Sequence, residues 1–436
     1  MTETPAEMKT RRTVGAAAAA ALIASLGVAG TAATPAAART LALAPAAAPA
    51  QCAASTMVKE TLPNGTTWQL CWRIQEKSGL ILENVSIASK RYPEPVSVLK
   101  SLTVAQLNVP YDSGLTEYND ITDYGFGGYN VQTLAGDDCK GGSARVASDG
   151  APIPTRRAVL CVSAEPSGLA YRAINEASET KPFSKLGHDL VLRILSRVGW
   201  YEYVTEYRLH DDGEISARLG ATGDLSPSDY TTPDKGWPIG KGARGIASSH
   251  YHSAFWRVDF DIAGRSGEYV EQYDTKLAGQ GSTSAKLTTS RRILAKEGSF
   301  SKANRRWWRV VSRNARNDDG HARSYELVTG ANDVYEAHPE TTPDVTFTQS
   351  RACEKYATGN ADPECPTRRS ILDYAANKET MKDPVMWVRV GFHHVPRDED
   401  QSPMPLHWQG FDLVPRDFTE TNRLAPPERS GVNGEN

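Results

Sequence analysis

Two histidines stand two residues apart in the segment SSHYHSAFWRVDFD. Because side chains i and i+2 point to the same face of a strand, His250 and His252 would present two imidazoles together. Two neutral imidazoles, with a third from elsewhere in the chain, form a natural site for copper or zinc. The segment GFHHVPRDEDQSPMP offers His393 or His394 as the third ligand. The alternative interpretation is a surface strand with two solvated histidines.

Three other segments hold groups that could act as a base or as ligands for a hard cation. Asp259 and Asp261 are two residues apart in FWRVDFDI. Carboxylates on one strand face suit Ca²⁺, although a solvated acidic face is the commoner case. Asp120 lies in YNDITDYGFGG, which taken alone indicates a turn-rich loop. Tyr201 lies in VGWYEY, which taken alone indicates a strand.

The elements that would hold these residues are predominantly strands. Val, Ile, Thr and aromatic residues alternate with polar residues in nine runs, at 66–74, 79–87, 157–164, 201–209, 214–221, 255–262, 306–312, 324–328 and 385–392. Turn signals separate the runs, and HDDG at 210–213 predicts a hairpin. The pattern predicts an all-β fold, a large antiparallel β-sandwich with few short helices.

Helix signals are few. The two best candidates for helices are the segments at 184–195 and 367–378. Residues 271–303 are rich in Gly, Ser and Lys and predict a long loop or a hairpin arm.

Composition and charge restrict the possible functions. The chain has 436 residues, long enough for one large core, and its 8% aromatic and 23% charged residues are typical of a globular protein. Its 49 basic and 52 acidic residues leave a formal net charge of −3. Such a chain has no net positive charge to attract the phosphate backbone of a nucleic acid, so nucleic-acid binding is disfavoured.

The amino-terminal segment predicts export. Lys9, Arg11 and Arg12 precede an uncharged, Ala-rich stretch at 13–38, and small-residue cleavage options follow it. This pattern predicts a signal peptide over 1–50 and a secreted or extracytoplasmic protein, with the Arg pair as a weak twin-arginine signal. An uncleaved membrane anchor is the alternative. No later run is apolar enough to span a bilayer, so we expect no membrane association after signal removal.

Six cysteines follow the predicted signal, and an even count in an exported chain predicts disulfides. Sequence neighbours favour three pairs among the fifteen possible sets, namely Cys52–Cys71, Cys139–Cys161 and Cys353–Cys365. The predicted organisation is then a signal at 1–50, one β-sandwich domain at 51–425 and a disordered tail at 426–436.

Taken in order, these segments resemble the catalytic domain of the copper amine oxidases, whose topaquinone cofactor forms from a tyrosine of the chain. The matching segments run from about Leu62 to Arg423, and five of them stand in the family's order: YNDITDYGFGG, VGWYEY, LHDDGEISARLGATG, HYHSAFWRVDFD and KDPVMWVRVGFHHVPRDEDQSPMP. The resemblance implies the family's large antiparallel sandwich and a homodimer. It also leads us to expect that the family's small amino-terminal domains are absent.

Residue by residue, the resemblance implies a copper centre. His250 and His252 match two copper ligands, and His394 matches the third because it stands directly before Val-Pro-Arg. His393 then takes the neighbouring position, which is not a ligand. Tyr201 matches the residue that becomes topaquinone.

The resemblance also implies roles for the residues around that centre. Asp120 matches the base that removes a proton from the substrate, Tyr111 a hydrogen-bond partner of the quinone oxygen, and Tyr118 the substrate gate. A peripheral calcium site is matched by Asp259, Asp261 and Asp383 and by the carbonyls of Phe260 and Pro384. Half-buried among aromatics, Asp120 should have a raised pKa.

The activity implied is oxidation of a small primary amine by O₂ to an aldehyde, ammonia and H₂O₂. Trp200 stands where the family usually has an Asn before the modified Tyr. The alternative is therefore a catalytically silent copper-binding or structural relative. A cupin-like metalloenzyme would need a nearby Glu ligand, and a zinc hydrolase would leave Tyr201 and Asp120 without roles.

Overall fold

The protein is described by a computed structural model over residues 52–147, 156–173, 182–264, 267–303 and 305–425. The predicted signal at 1–50 and the predicted tail at 426–436 lie outside these ranges. Numbered along the chain, the described residues form 21 strands and one α-helix, α1 at Ile371–Ala376. The shorter helical turns lie at Ala54–Thr56, Asp120–Tyr124, Pro227–Asp229, Pro339–Thr341 and Asp398–Asp400.

Nine of these strands form the first antiparallel sheet. Its members are β1 (Met57–Thr61), β2 (Thr67–Gln75), β3 (Gly79–Ala88), β4 (Val96–Pro110), β5 (Glu117–Asn119), β13 (His250–Phe260), β16 (Gly298–Phe300), β19 (Val345–Gln349) and β20 (Pro384–His394). Their order is β1-β2-β3-β4-β13-β20-β19-β16, with β5 paired to β4. The strand β13, which carries two of the predicted metal ligands, therefore lies at the centre of the sheet between β4 and β20.

Ten further strands form the second antiparallel sheet. They are β6 (Ser143–Val146), β7 (Ala158–Ala173), β8 (Phe183–Val198), β9 (Tyr201–His210), β10 (Ile215–Gly223), β14 (Glu268–Gln280), β15 (Ala285–Leu294), β17 (Arg306–Arg316), β18 (Ala322–Thr329) and β21 (Met404–Arg416). Their order is β15-β14-β17-β18-β21-β10-β9-β8-β7-β6. A separate ribbon pairs β11 (Gly236–Ile239) with β12 (Gly245–Ser248).

The two sheets pack face to face around one core. Alternate residues of each strand point inward, so Trp256 of β13 meets Phe411 of β21 with their ring centroids 5.4 Å apart. One buried cluster joins Leu102 of the first sheet to Tyr207 and Leu413 of the second. The histidines of β13 and β20 that are predicted as metal ligands therefore face the strands of the opposite sheet inside this core.

The prediction of an all-β sandwich is confirmed, and so is the hairpin at 210–213, which joins β9 to β10. Residues 271–303, predicted as a loop or an arm, contain most of the long hairpin β14–β15. The predicted helix at 367–378 exists but is shorter, as α1.

The predicted helix at 184–195 is wrong, because these residues lie within β8. Leu190, Leu192 and Ile194 alternate along that strand and are fully buried. The strand is paired with β7 on one side and β9 on the other, so its backbone groups are satisfied by the sheet. The spacing of these apolar residues fits the period of a helix as well as that of a strand. Pairing with the neighbouring strands therefore decides the conformation.

All three predicted disulfides are present, as Cys52–Cys71, Cys139–Cys161 and Cys353–Cys365. No helix among the described residues is long and apolar enough to cross a membrane.

Candidate functional site

Three buried histidines meet between the two sheets. His250 and His252 lie on β13, and His394 ends β20 directly opposite His250 in the antiparallel register. Each of the three histidines has one ring nitrogen that lies within 4.8 Å of a ring nitrogen of both others. The same-face prediction for His250 and His252 therefore holds, and the strand pairing supplies the third imidazole.

The chemistry of this cluster fits a metal ion. Neither ring nitrogen of His252 has a hydrogen-bond partner, although the side chain is completely buried. Such an unpaired buried group costs about 1–3 kcal/mol. His250 Nδ1–H donates to the carbonyl of Ser248 at 3.1 Å, so its Nε2 carries a lone pair, and this atom lies 3.2 Å from His394 Nδ1. Three imidazoles with convergent nitrogens are suited to copper(II).

Burial keeps these imidazoles neutral. It lowers the pKa of His250 to about 3, with the neighbouring His394 acting in the same direction, and it lowers the pKa of His252 well below its ordinary value. It also lowers the pKa of His394. Neutral imidazole is the form that binds metal, so the cluster is ready to bind an ion at neutral pH.

A carboxylate behind the cluster orients the third histidine. Asp400 is fully buried, and its Oδ2 accepts a hydrogen bond from His394 Nε2 at 3.1 Å. Burial alone would raise the pKa of Asp400, but hydrogen bonds from His394 and His407 hold it below its usual range. The charged carboxylate therefore keeps the His394 proton on Nε2 and leaves Nδ1 free for a metal.

His393 lies outside the cluster. Adjacent residues of a strand point to opposite faces, so His393 turns away from the core while His394 enters it. Its Nε2 lies 2.9 Å from Asp112 Oδ2, and its ring stacks on Tyr251 with centroids 4.3 Å apart. Of the two adjacent histidines, His394 is therefore the one that joins His250 and His252.

Tyr201 reaches the cluster from the opposite sheet. It begins β9, after a tight turn in which Gly199 has a φ of +60° that favours glycine. Its hydroxyl lies 2.9 Å from His250 Nε2 and donates to it, and the side chain is buried. Burial raises the pKa of Tyr201 well above its ordinary value, so the side chain is a neutral phenol without a metal.

Asp120 lies beside Tyr201 at the start of the helical turn that follows β5. The side chain is buried, and its Oδ2 accepts a hydrogen bond from the hydroxyl of Tyr203 at 2.8 Å. Tyr203 and Tyr201 share a face of β9, and their rings stack with centroids 5.8 Å apart. Burial raises the pKa of Asp120 to about 7, and the hydrogen bond from Tyr203 opposes this shift. The raised pKa agrees with the expectation from sequence.

A cavity of about 200 Å³ connects these groups to the surface, a size suited to a small amine. Its wall includes Tyr111, Tyr118, Asp120, Trp200 and Tyr201. Tyr111 stacks on His250 with ring centroids 4.6 Å apart. Tyr118 lies nearer the mouth, edge-on to Tyr111, with its hydroxyl 3.5 Å from Asp229 Oδ2. Trp200 is 47% exposed, so its indole lies at the outer part of the cavity wall.

The three carboxylates among the five residues matched to calcium have side-chain partners within the protein. Asp259 Oδ2 lies 3.2 Å from Arg257 Nη1 and 3.7 Å from Lys100 Nζ, and Asp383 lies 3.9 Å from the same ammonium. Asp261 accepts instead from Ser97 Oγ at 3.0 Å. Asp259 and Asp383 therefore both lie within ion-pair distance of Lys100. Calcium binding by Asp259, Phe260, Asp261, Asp383 and Pro384 stays a prediction.

Three residues of this site, Tyr203, Asp400 and His407, were not predicted from the sequence. Tyr203 could have been found, because it is two residues after Tyr201 and a strand places both on one face. Asp400 and His407 carried no such signal, since PRDED contains three acids and His407 belongs to another strand. Only the folded chain distinguishes the acid that reaches His394.

Comparisons with known proteins agree with this geometry. A family model described as the enzyme domain of copper amine oxidases matches residues 59–430. Primary amine oxidase 2 of Arabidopsis thaliana is 26% identical, in an alignment covering 81% of this chain and 57% of that protein. Histamine oxidase of Arthrobacter globiformis is 25% identical, with 81% and 55% covered. The chain thus spans little more than half the length of these relatives.

Solved structures show the same fold. The crystal structure of a copper-containing benzylamine oxidase from Hansenula polymorpha superposes with a TM-score of 0.70 at 23% sequence identity. This superposition covers 86% of the present chain and 63% of that chain.

Proposed function

This chain belongs to the copper amine oxidase family, and from that premise we propose that it is an exported primary-amine oxidase. Its reaction would convert a primary amine, O₂ and water into an aldehyde, ammonia and H₂O₂. The observation that carries the proposal is the position of Tyr201, whose buried hydroxyl contacts a cluster of three neutral histidines and whose side chain lines a small cavity together with a buried carboxylate. The predicted signal at 1–50 makes export part of the proposal.

The proposed cofactors are copper held by His250, His252 and His394, and topaquinone formed from Tyr201. When present, this pair would accept two electrons from the amine and pass them to O₂. The 2.9 Å contact between the Tyr201 hydroxyl and His250 Nε2 supports this assignment, because it holds the tyrosine against the proposed metal ligands.

In this proposal Asp120 removes a proton from the carbon that carries the amine. Its burial raises its affinity for that proton, while the Tyr203 hydroxyl stabilises the charged form at 2.8 Å. Tyr111 stacks on His250, and its side chain lines the same cavity as Tyr201. The largely aromatic wall leaves room for a small amine.

We expect the activity to fall at acidic pH with a midpoint near the pKa of Asp120, about 7. The base must be ionised, so protonation below that pKa removes it and kcat/KM declines as pH falls. The Tyr203→Phe variant loses a hydrogen bond that lowers this pKa, so its acid limb should move to higher pH. Steady-state profiles of both proteins measure the shift. If the acidic side of the kcat/KM profile does not move in the variant, the titrating group is not Asp120.

Modification of Tyr201 is the primary test of the proposal. We expect copper-loaded protein exposed to air to carry an oxidised residue 201 that reacts with phenylhydrazine. Mass spectrometry of the peptide that contains Tyr201 measures this, and the Tyr201→Phe protein is the control. An unmodified Tyr201 with copper bound would exclude the topaquinone assignment.

Trp200 is the reason to keep a second candidate, the catalytically silent relative. It replaces the Asn that the family usually has at this position, and its indole is 47% exposed at the cavity mouth. The retained cavity and the contact of Tyr201 with the three-histidine cluster favour the enzyme instead. The same peptide measurement separates the two candidates.

A further inference from the structure

A buried carboxylate connects the third histidine of the cluster to a histidine of the opposite sheet. Asp400 Oδ2 accepts from His394 Nε2 at 3.1 Å, and Asp400 Oδ1 accepts from His407 Nε2 at 2.8 Å. His394 ends β20 of the first sheet, whereas His407 lies on β21 of the second. The hydrogen-bonded chain therefore runs from a proposed copper ligand, through one carboxylate, across the sandwich.

His407 is the principal side-chain partner of Asp400 Oδ1. The guanidinium of Arg397 stands 3.6 Å away, beyond hydrogen-bond length, and its side chain is 57% exposed. The backbone N–H of Arg397 donates to the other oxygen, Oδ2, at 3.0 Å. The plane of the carboxylate is therefore set by Oδ2 contacts on one side and by His407 on the other.

The ring of His407 is itself held in place. It lies nearly parallel to Phe392, at an interplanar angle of 10° and a centroid distance of 6.2 Å. Its centroid is 4.6 Å from that of His394. A ring packed in this way loses little further freedom when it donates to Asp400, so the hydrogen bond is preorganised.

We infer that His407 is a positioning residue for the proposed copper centre, and that it acts on His394 through Asp400. With His407 in place, Asp400 faces His394 Nε2–H and keeps the Nδ1 lone pair aimed at the cluster. Without His407, the Asp400 carboxylate is free to rotate toward Arg397. This rotation weakens the hydrogen bond that it accepts from His394 Nε2. The inference rests on the proposed function, because it requires the three histidines to bind copper.

The other possible role for these three groups is a second metal site. Ligand atoms of His394, Asp400 and His407 also lie within 4.8 Å of one another. With copper also bound at Nδ1, that role would require His394 to lose its single ring proton and bridge two ions. The hydrogen-bonded arrangement needs only neutral imidazoles, and it leaves His394 Nδ1 free beside His250. The geometry thus favours positioning, and metal stoichiometry distinguishes the two roles.

The test compares three variants of the full chain. His407→Leu removes the donor, and His407→Gln retains an N–H at a similar reach. His210→Leu is the matched control, because His210 is 21% exposed against 20% for His407 and also contacts an Asp at 2.8 Å. His210 lies nine residues along β9 from Tyr201, about 30 Å away. Chelator competition gives the copper dissociation constant, and electron paramagnetic resonance gives the ligand field of the bound ion.

We expect His407→Leu to weaken copper binding by about 10- to 100-fold and to change the copper spectrum. His407→Gln should restore affinity to within about threefold of the unsubstituted protein, and His210→Leu should leave it unchanged. These readouts do not depend on amine turnover. A purely structural role would lower the melting temperature of both Leu variants without moving the copper affinity of either.

Three results would overturn the inference. The first is unchanged copper affinity in His407→Leu, and the second is an equal loss in His210→Leu. The third is a second metal equivalent that disappears with His407, which would assign a metal site instead. A protein that binds no copper at all would overturn the proposed centre and this inference together, whereas the first two results leave the centre intact.

Discussion

Replacing Asp120 with Asn should lower kcat/KM for primary amines by about 10²- to 10⁴-fold while leaving copper bound and residue 201 oxidised. The amide is nearly the same size as the carboxylate but accepts no proton at neutral pH. The group is buried and lies outside the histidine cluster, so its loss should spare metal binding. A peroxide-coupled assay measures turnover, and phenylhydrazine titration measures the quinone.

Asp123→Asn is the matched control for this variant. Asp123 is in the same helical turn, three residues later, and its side chain is exposed. It should retain the activity of the unsubstituted protein within about threefold, because exposed polar changes away from a site have small effects. A fully active Asp120→Asn enzyme would remove Asp120 from the role of base.

The second large effect is expected at His394. The His394→Ala protein should bind no copper, and Tyr201 should therefore stay unoxidised. Only the imidazoles of His250 and His252 would remain, and the ligand that Asp400 orients would be missing. The substitution also leaves buried Asp400 without one of its two histidine donors. Metal analysis and mass spectrometry of the Tyr201 peptide measure the two losses.

Its neighbour provides the control within the same strand. His393→Ala removes a partly exposed ring that contacts Asp112 and Tyr251, so copper content and oxidation of Tyr201 should be retained. The opposite outcome, with His393 essential and His394 dispensable, would show that the strand register is displaced by one residue.

Several features of the site were predictable because they depend on local geometry. The two-residue spacing of His250 and His252 required a shared strand face, and alternating apolar residues required an all-β fold. The placement of Asp120 near Tyr201, by contrast, came from the family resemblance. Nothing in either short segment brings together two residues that lie 81 positions apart.

The helix predicted at 184–195 shows where local patterns are ambiguous. Its apolar residues fit both a helix and a strand. The free-energy difference between the two conformations comes from contacts with residues that are distant in sequence. Pairing of β8 with both β7 and β9 satisfies every central backbone group and buries Leu190, Leu192 and Ile194. Such pairing is invisible to a window of twelve residues.

By itself, then, the sequence determined the fold class, the shared face of His250 and His252 and, through ordered motifs, the family. The tertiary structure alone decided that Asp400 rather than a neighbouring acid reaches His394, that His407 crosses from the other sheet, and that Lys100 lies between Asp259 and Asp383. The physical reason is that strand periodicity sets only the direction of a side chain. Distances of a few ångströms between strands depend on register and sheet packing, which long-range pairing creates.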